Sequence, residues 1–317
     1  MKITFIVTVF NEEDSIEKLL NSLSSQSTLP DEIIIVDGGS SDRTVAKIKD
    51  QRSKIKRYVG NFIVLTKKGN RAVGRNEAVR NASGDIIVCS DAGCFLDKDW
   101  IRNITKPFIN SKVDVVAGYY KGEYKNIFQK SLIPYVFVMP DKVDSDTFLP
   151  ATRSMAFRKN IWKSIGGFAE QFSHNEDYVF ANDLKKVHAK IVFEKTAIAY
   201  WIPRENLSQV FSMLFRFALG DMEAGIIRPK VVLVLVRYWV GFIALLTYLI
   251  FDLNFILYSL CFILLMYIIW AIVKNYKYIK DYRAFFILPV LQIVADVAVI
   301  SGSIMGLLKL WGTKKTQ

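Results

Sequence analysis

Apolar positions in this chain follow two regimes. Up to about residue 230 they form short runs broken by polar turns, and beyond that they merge into three long ones. Residues 231–251 (VVLVLVRYWVGFIALLTYLIF) hold Arg237 as their only charge, residues 253–273 hold none, and residues 285–308 carry Asp296 near the middle. A helix needs ~20 apolar residues to cross a bilayer core. A core helix of that length would normally keep a polar face. The three runs therefore read as membrane helices. The third, with an acid that is costly at mid-membrane, is read either as a crossing or as a segment that re-enters or packs against its neighbours.

In the first regime, Lys2–Val9, Glu32–Val36, Phe62–Leu65 and Asp85–Ser90 read as buried strands. After the turn Asn11-Glu12-Glu13-Asp14-Ser15, the spacing of Ile16, Leu19, Leu20 and Leu23 predicts a capped helix that Pro30 stops. Gly38-Gly39-Ser40-Ser41-Asp42 is a turn opening a helix from Thr44, and 69–82 is a polar helix or loop. Strands alternating with helices imply an α/β fold, a Rossmann-like and mostly parallel sheet flanked by helices, followed by an α-helical membrane region. Residues 113–118 are a further candidate strand, and 119–153 lack a clear period. Residues 207–219 predict an amphipathic helix lying either on a membrane surface or in a core. The expected domains are 1–228, a membrane region at 229–310 and a short basic tail at 311–317.

Composition sharpens this picture in three places. The N-terminus MKITFIVTVFNEED lacks a signal-peptide pattern, so the first 230 residues are expected in the cytoplasm. Lys274, Lys277, Lys280 and Arg283 then place the loop between the second and third runs inside, whereas Lys309, Lys314 and Lys315 would lie outside after three crossings. The net charge of +12 is dispersed and no nucleic-acid module is present, so an anionic membrane surface and phosphate-bearing substrates are the expected partners. Cys89, Cys94 and Cys261 form no disulfide or zinc pattern.

The candidate chemistry lies in acids. Asp37 and Asp91 each end an apolar run, Ile33-Ile34-Ile35-Val36 and Ile86-Ile87-Val88-Cys89-Ser90, and the pair Glu176-Asp177 follows downstream. In an open parallel sheet the ligand crevice lies outside the carboxyl ends of the strands. Two acids there, with a third site behind them, suit a pocket that holds a nucleotide and a metal and deprotonates an incoming hydroxyl.

Four segments in order, VTVFNEEDSIEKLLNSLSSQ (7–26), EIIIVDGGSSDRT (32–44), GRNEAVRNASGDIIVCSDAGC (74–94) and Gly166-Gly167-Phe168 through Glu176-Asp177, resemble family 2 glycosyltransferases over roughly residues 3–220. The resemblance implies a GT-A fold, inversion at the anomeric carbon and a nucleotide-diphosphate sugar donor. It assigns Thr8, Asn11, Glu12, Asp37, Gly38, Gly39, Arg75 and Asp91 to the donor, Glu176 to the catalytic pair and Asp177 to the general base. It makes Asp91 the first acid of a metal motif commonly Asp-x-Asp, for Mg²⁺ or Mn²⁺. Here the second acid is replaced by Gly93, which weakens that site; His174 is a further candidate ligand, and Asp97 and Asp99 are candidate helix caps.

Arg153, Arg204 and Arg216 are candidates for the diphosphate or acceptor. Arg216-Phe217 falls where processive relatives carry Gln-x-x-Arg-Trp, with both outer residues replaced. The irregular 119–153 region is expected to face the acceptor. The resulting expectation is a multi-pass cell-membrane enzyme with a cytoplasmic catalytic domain, moving a sugar from a UDP- or GDP-sugar to a lipid-linked saccharide. The alternatives are a polyprenyl-phosphate monosaccharide synthase and a degenerate nucleotide-binding scaffold.

Overall fold

The computed structural model describes residues 1–55, 59–251 and 253–314. The chain divides into two compact units, the first comprising 1–123 and 137–202, the second 124–136 and 203–317.

The first unit opens with β1 (Ile3–Val9), α1 (Ile16–Ser24), β2 (Glu32–Asp37), α2 (Thr44–Ile55), β3 (Asn61–Thr66), α3 (Arg71–Asn81) and β4 (Ile86–Cys89). It continues with β5 (Cys94–Leu96), α4 (Trp100–Thr105) and β6 (Val115–Gly122), and after residue 137 with β7 (Met155–Arg158), α6 (Lys159–Ser164; α5 belongs to the second unit), α7 (Glu176–Lys186) and β8 (Ile191–Trp201). The strands form one mixed sheet in the order β3-β2-β1-β4-β7-β6-β8-β5. β3, β2, β1 and β4 run parallel, β7 is antiparallel to both β4 and β6, and β8 lies parallel to β6.

Successive side chains of a strand point to opposite faces, and the core obeys this. Phe5, Val7, Ile33, Ile35 and Val88 face one apolar layer with Leu19, Leu20 and Trp100. Ile6, Ile34, Val36, Ile87 and Phe157 face the other with Ala78, Phe168 and Phe180. Continuous apolar runs in β1, β2 and β4 thus follow from burial on both faces. The connection after β1 leads to β2 and that after β4 leads to β5, on opposite sides of the β1–β4 pair.

Two elements depart from the sequence reading. Residues 119–122 extend β6 instead of starting an irregular segment, and β8 is an 11-residue strand with Glu194, Lys195 and Thr196 inside it. The β6–β8 register jumps from Gly118↔Glu194 to Tyr119↔Ile198, so the intervening polar residues bulge out of the ladder.

The second unit consists of α5 (Ile127–Val136), α8 (Leu207–Glu223), α9 (Pro229–Phe251), α10 (Asn254–Ile279) and α11 (Ala284–Lys314). Spans of 23, 26 and 28 residues in α9, α10 and α11 are long and apolar enough to cross a membrane. The third run is one continuous helix despite Pro289, and residues 311–314 of the expected tail continue it, while 315–317 lie outside the described residues. α8 packs along α11 at close range. A Cβ on Gly302 would lie 2.3 Å from the Phe215 carbonyl oxygen, and one on Gly306 would lie 2.5 Å from Met222 Cβ. Small residues let helix backbones approach in this way.

The two charges of the apolar runs meet. Arg237 Nη2 lies 2.6 Å from Asp296 Oδ2, which also accepts hydrogen bonds from the Tyr238 and Tyr267 hydroxyls, while Gln292 Nε2 donates to Oδ1 at 3.0 Å. Asp296 is buried, and Arg237 lies over the Tyr267 ring at 4.3 Å. The acid that makes the third run costly as an isolated helix is thereby paired and hydrogen-bonded, as a buried charge requires.

Candidate active site

Three loops at the carboxyl ends of β1, β2 and β4 build the site. After β1, Asn11 takes a left-handed backbone (φ 52°), which Asn tolerates better than most residues. Its Oδ1 accepts from Ser41 N at 2.9 Å, and its own N–H donates to Ser40 Oγ. Glu12 N–H donates to Thr44 Oγ1 at 2.7 Å, and the Ser15 hydroxyl donates to the Glu12 carboxylate. After β2, buried Asp37 accepts from Gly39 N (3.0 Å), Ser40 N (3.1 Å) and Ser40 Oγ (2.6 Å). It organises its own loop and caps no helix; the positive φ of 99° falls on Gly39 alone, not on Gly38. Asp42 is a turn residue accepting from Thr44 N and Glu13 N.

These loops border a cavity of about 220 Å³ whose lining includes Thr8, Glu12, Gly38, Lys67, Arg71 and Ser173. Thr8, Glu12 and Gly38 were among the expected donor residues. Lys67 was not; it stands just past β3 in a stretch without a recognisable motif.

Arg75 is the hub of the acidic part. It emerges from the buried face of α3 with Nη1 2.5 Å from Glu176 Oε1 and Nη2 2.9 Å from Asp91 Oδ1. The Arg75 and Glu176 side chains are 4% and 3% exposed. Glu176 and Asp177 begin α7 behind Asn175, whose φ is 58°, and acids in a first helical turn meet the positive end of the helix dipole. Among the described residues Glu176 Oε2 has no hydrogen-bond partner.

Burial pushes the Asp177 carboxyl up, as does Glu176, and Arg75 and Arg153 only partly oppose this; the net shift is upward. Burial also works to raise Asp91, but Arg75, Arg153 and Arg71 outweigh it and hold that carboxyl below the usual range. The site thus contains one acid poised toward accepting a proton and one held ionised.

Thr152 and Arg153 reach the same acid: Thr152 Oγ1 donates to Asp91 Oδ1 at 3.1 Å, and Arg153 Nε lies 4.0 Å from Asp91 Oδ2. Arg204 and Arg216 belong to the second unit, both exposed, with Arg216 on α8. Asn76, one residue past Arg75, is turned inward and latches Phe168 N, Phe168 O and Glu170.

In the expected cation motif Gly93 stands where a second acid would be. Among the described residues no three His, Cys, Asp or Glu side chains converge, which leaves His174 outside any such group. Asp99 pairs with Arg102, and Asp97 accepts from Asp99 N. Asp91 alone remains, with Oδ1 already bonded to a guanidinium and a hydroxyl. A divalent ion here would take one carboxylate from the protein and the rest of its oxygen ligands from substrate phosphates and water, a weaker hold than two acids give.

A mixed α/β sheet with acids at its strand ends beside a loop-lined crevice defines a nucleotide-binding fold of the GT-A kind. Residues 4–166 match the family described as Glycosyl transferase family 2, and the chain belongs to that family. It is 25% identical over 232 residues to a poly-beta-1,6-N-acetyl-D-glucosamine synthase of Staphylococcus aureus, covering 70% of this chain and 55% of the synthase. The chain therefore spans about half the length of that relative. An O-antigen chain rhamnosyltransferase of Salmonella typhimurium is 24% identical, covering 67% of this chain and 71% of the relative. A mannosyltransferase of Pyrobaculum calidifontis, solved in complex with GDP-Man and Mn²⁺, shares the fold at a TM-score of 0.60 and 16% identity, over 96% of this chain and 87% of its own.

Proposed function

We propose that this chain is a membrane-anchored inverting glycosyltransferase that moves a sugar from a UDP- or GDP-sugar to a lipid-linked saccharide at the cytoplasmic face. The observation that carries the reading is the cluster in which Arg75 bridges Asp91 and buried Glu176, with Asp177, whose carboxyl burial pushes up, next to Glu176 in the first turn of α7. A general base works best when its pKa approaches the operating pH. Asp177 takes the proton of the acceptor hydroxyl as its oxygen attacks the anomeric carbon from the face opposite the leaving nucleotide diphosphate. The base and ribose occupy the cavity lined by Thr8, Glu12 and Gly38, whose loops Asn11 and Asp37 hold in shape by hydrogen bonds.

Residues 1–228 act as the transferase domain and 229–310 as a multi-pass cell-membrane anchor. The spans of α9, α10 and α11 support the anchor, and the Lys280–Arg283 stretch supports an inside location for the α10–α11 connection. An anchor keeps the site where lipid acceptors are concentrated, raising their effective concentration without new contacts.

The test is turnover by membranes carrying the wild-type chain, given a panel of labelled UDP- and GDP-sugars and total lipid extract. The expected result is label from one donor entering the lipid phase, lost in Asp91→Ala. Asp177→Asn should nearly abolish transfer to a hydroxyl but weaken transfer to a lipid phosphate less, since a phosphate oxygen needs little help from a base. Nucleotide binding without turnover on any donor would instead support a degenerate scaffold.

A further inference from the structure

Arg153 has the surroundings of an anion receptor. Its guanidinium lies 5.4 Å from the ring centroid of Tyr120 and 5.1 Å from that of Trp201, and its side chain is 21% exposed. Aromatic faces hold a guanidinium in place, and its planar fork of N–H donors matches phosphate oxygens. Its ion-pair contact with Asp91 is loose, at 4.0 Å, whereas Arg75 holds the same carboxylate at 2.9 Å. Arg75 is in turn fixed by buried Glu176.

The residue that breaks the metal motif belongs to the same arrangement. A Cβ on Gly93 would lie 3.7 Å from Trp201 Nε1, so the indole that backs Arg153 flanks the position of the missing acid. A divalent cation at Asp91 would find one carboxylate, already hydrogen-bonded, amid the positive fields of Arg75, Arg153 and Arg71.

We propose that Arg153, held between Tyr120 and Trp201, neutralises the donor diphosphate in place of a carboxylate-bound cation, making nucleotide binding by this chain independent of divalent metal. This inference rests on the nucleotide-sugar reading above.

The test is calorimetric titration of UDP and of GDP into the full chain in detergent micelles, in EDTA and again with Mn²⁺. The nucleotide that binds should do so with a Kd that changes less than about 3-fold between the two conditions. Charge-assisted hydrogen bonds contribute enough that Arg153→Met should weaken binding in EDTA by roughly 10–100-fold. Uridine or guanosine, which lack the diphosphate, should lose nothing in that variant.

Binding abolished by EDTA and restored by Mn²⁺ in the wild-type chain would overturn the inference and leave the transferase reading standing. An unchanged diphosphate affinity in folded Arg153→Met would also overturn it. If that variant does not fold, the wild-type comparison in EDTA and Mn²⁺ decides. Failure of both nucleotides to bind in either condition would overturn both readings together.

Discussion

Arg75 and Arg237 each reach an aspartate from within a packed unit, but their surroundings are balanced differently. Arg75 is one cation between two carboxylates, Asp91 and Glu176, with the field of Asp177 close by. Arg237 faces one carboxylate, Asp296, whose remaining partners are the neutral Tyr238, Tyr267 and Gln292. Around Arg75 several acids share the cation where water is scarce, and burial together with the Glu176 charge shifts the Asp177 carboxyl toward protonation. Around Arg237 the charges cancel and side chains of α9, α10 and α11 are joined at one carboxylate. A cluster of buried acids sharing one arginine is suited to moving a proton, and a single satisfied pair to fixing how helices pack.

The sharpest way to break this comparison is Asp177→Asn. Transfer to a hydroxyl acceptor should fall by about 10²–10⁴-fold, with UDP or GDP affinity retained; steady-state kinetics beside a binding isotherm would show it. Next comes Arg75→Met, which leaves Glu176 buried and uncompensated and should destabilise the first unit by roughly 3–5 kcal/mol. Loss of amide-exchange protection in β4 and α7 would register it.

Asp296→Asn should cost less, about 1–2 kcal/mol, because Arg237 is 37% exposed and its long stem can carry the freed charge outward. Thermal unfolding in detergent measures this, and a loss equal to that of Arg75→Met would remove the distinction drawn here.

The smallest effect near neutrality is the pH profile. With the Asp177 carboxyl raised above its ordinary 3.8, hydroxyl transfer should decline as pH falls through that raised value, and Asp177→Asn should lack this limb. Stability runs the other way for this group: a raised folded value favours the protonated carboxyl, so Asp177 costs stability as pH rises through it. Asp91, held low, contributes stability above the ordinary aspartate value that is lost as pH falls through its lowered one.

The strands that position the acids were legible because burial on both faces makes β1, β2 and β4 continuous apolar runs ending in a turn or an acid. α3 was harder to read, since its buried face carries Arg75 and Asn76 and so lacks an apolar stripe. β8 was hidden by polar residues that a register jump carries out of the ladder. Thr152 lies 61 residues from Asp91 and reaches it only because β7 folds back beside β4, a pairing no local pattern announces. Arg237 and Asp296 stood out singly as charges in apolar runs, and only three-dimensional packing made them partners.

The Gly302 and Gly306 seam also has a consequence for how the chain is made. α8 rests its buried face, including Met213, Leu214, Ala218 and Leu219, in a unit whose main packing partner for it is α11. At translation speeds of ~5–20 residues per second, the gap from Leu219 to Gly302 keeps that face waiting for roughly 4–17 s. A nascent chain stalled before Ala284 would still display it, and quality-control factors would meet an uncovered amphipathic helix instead of a finished seam.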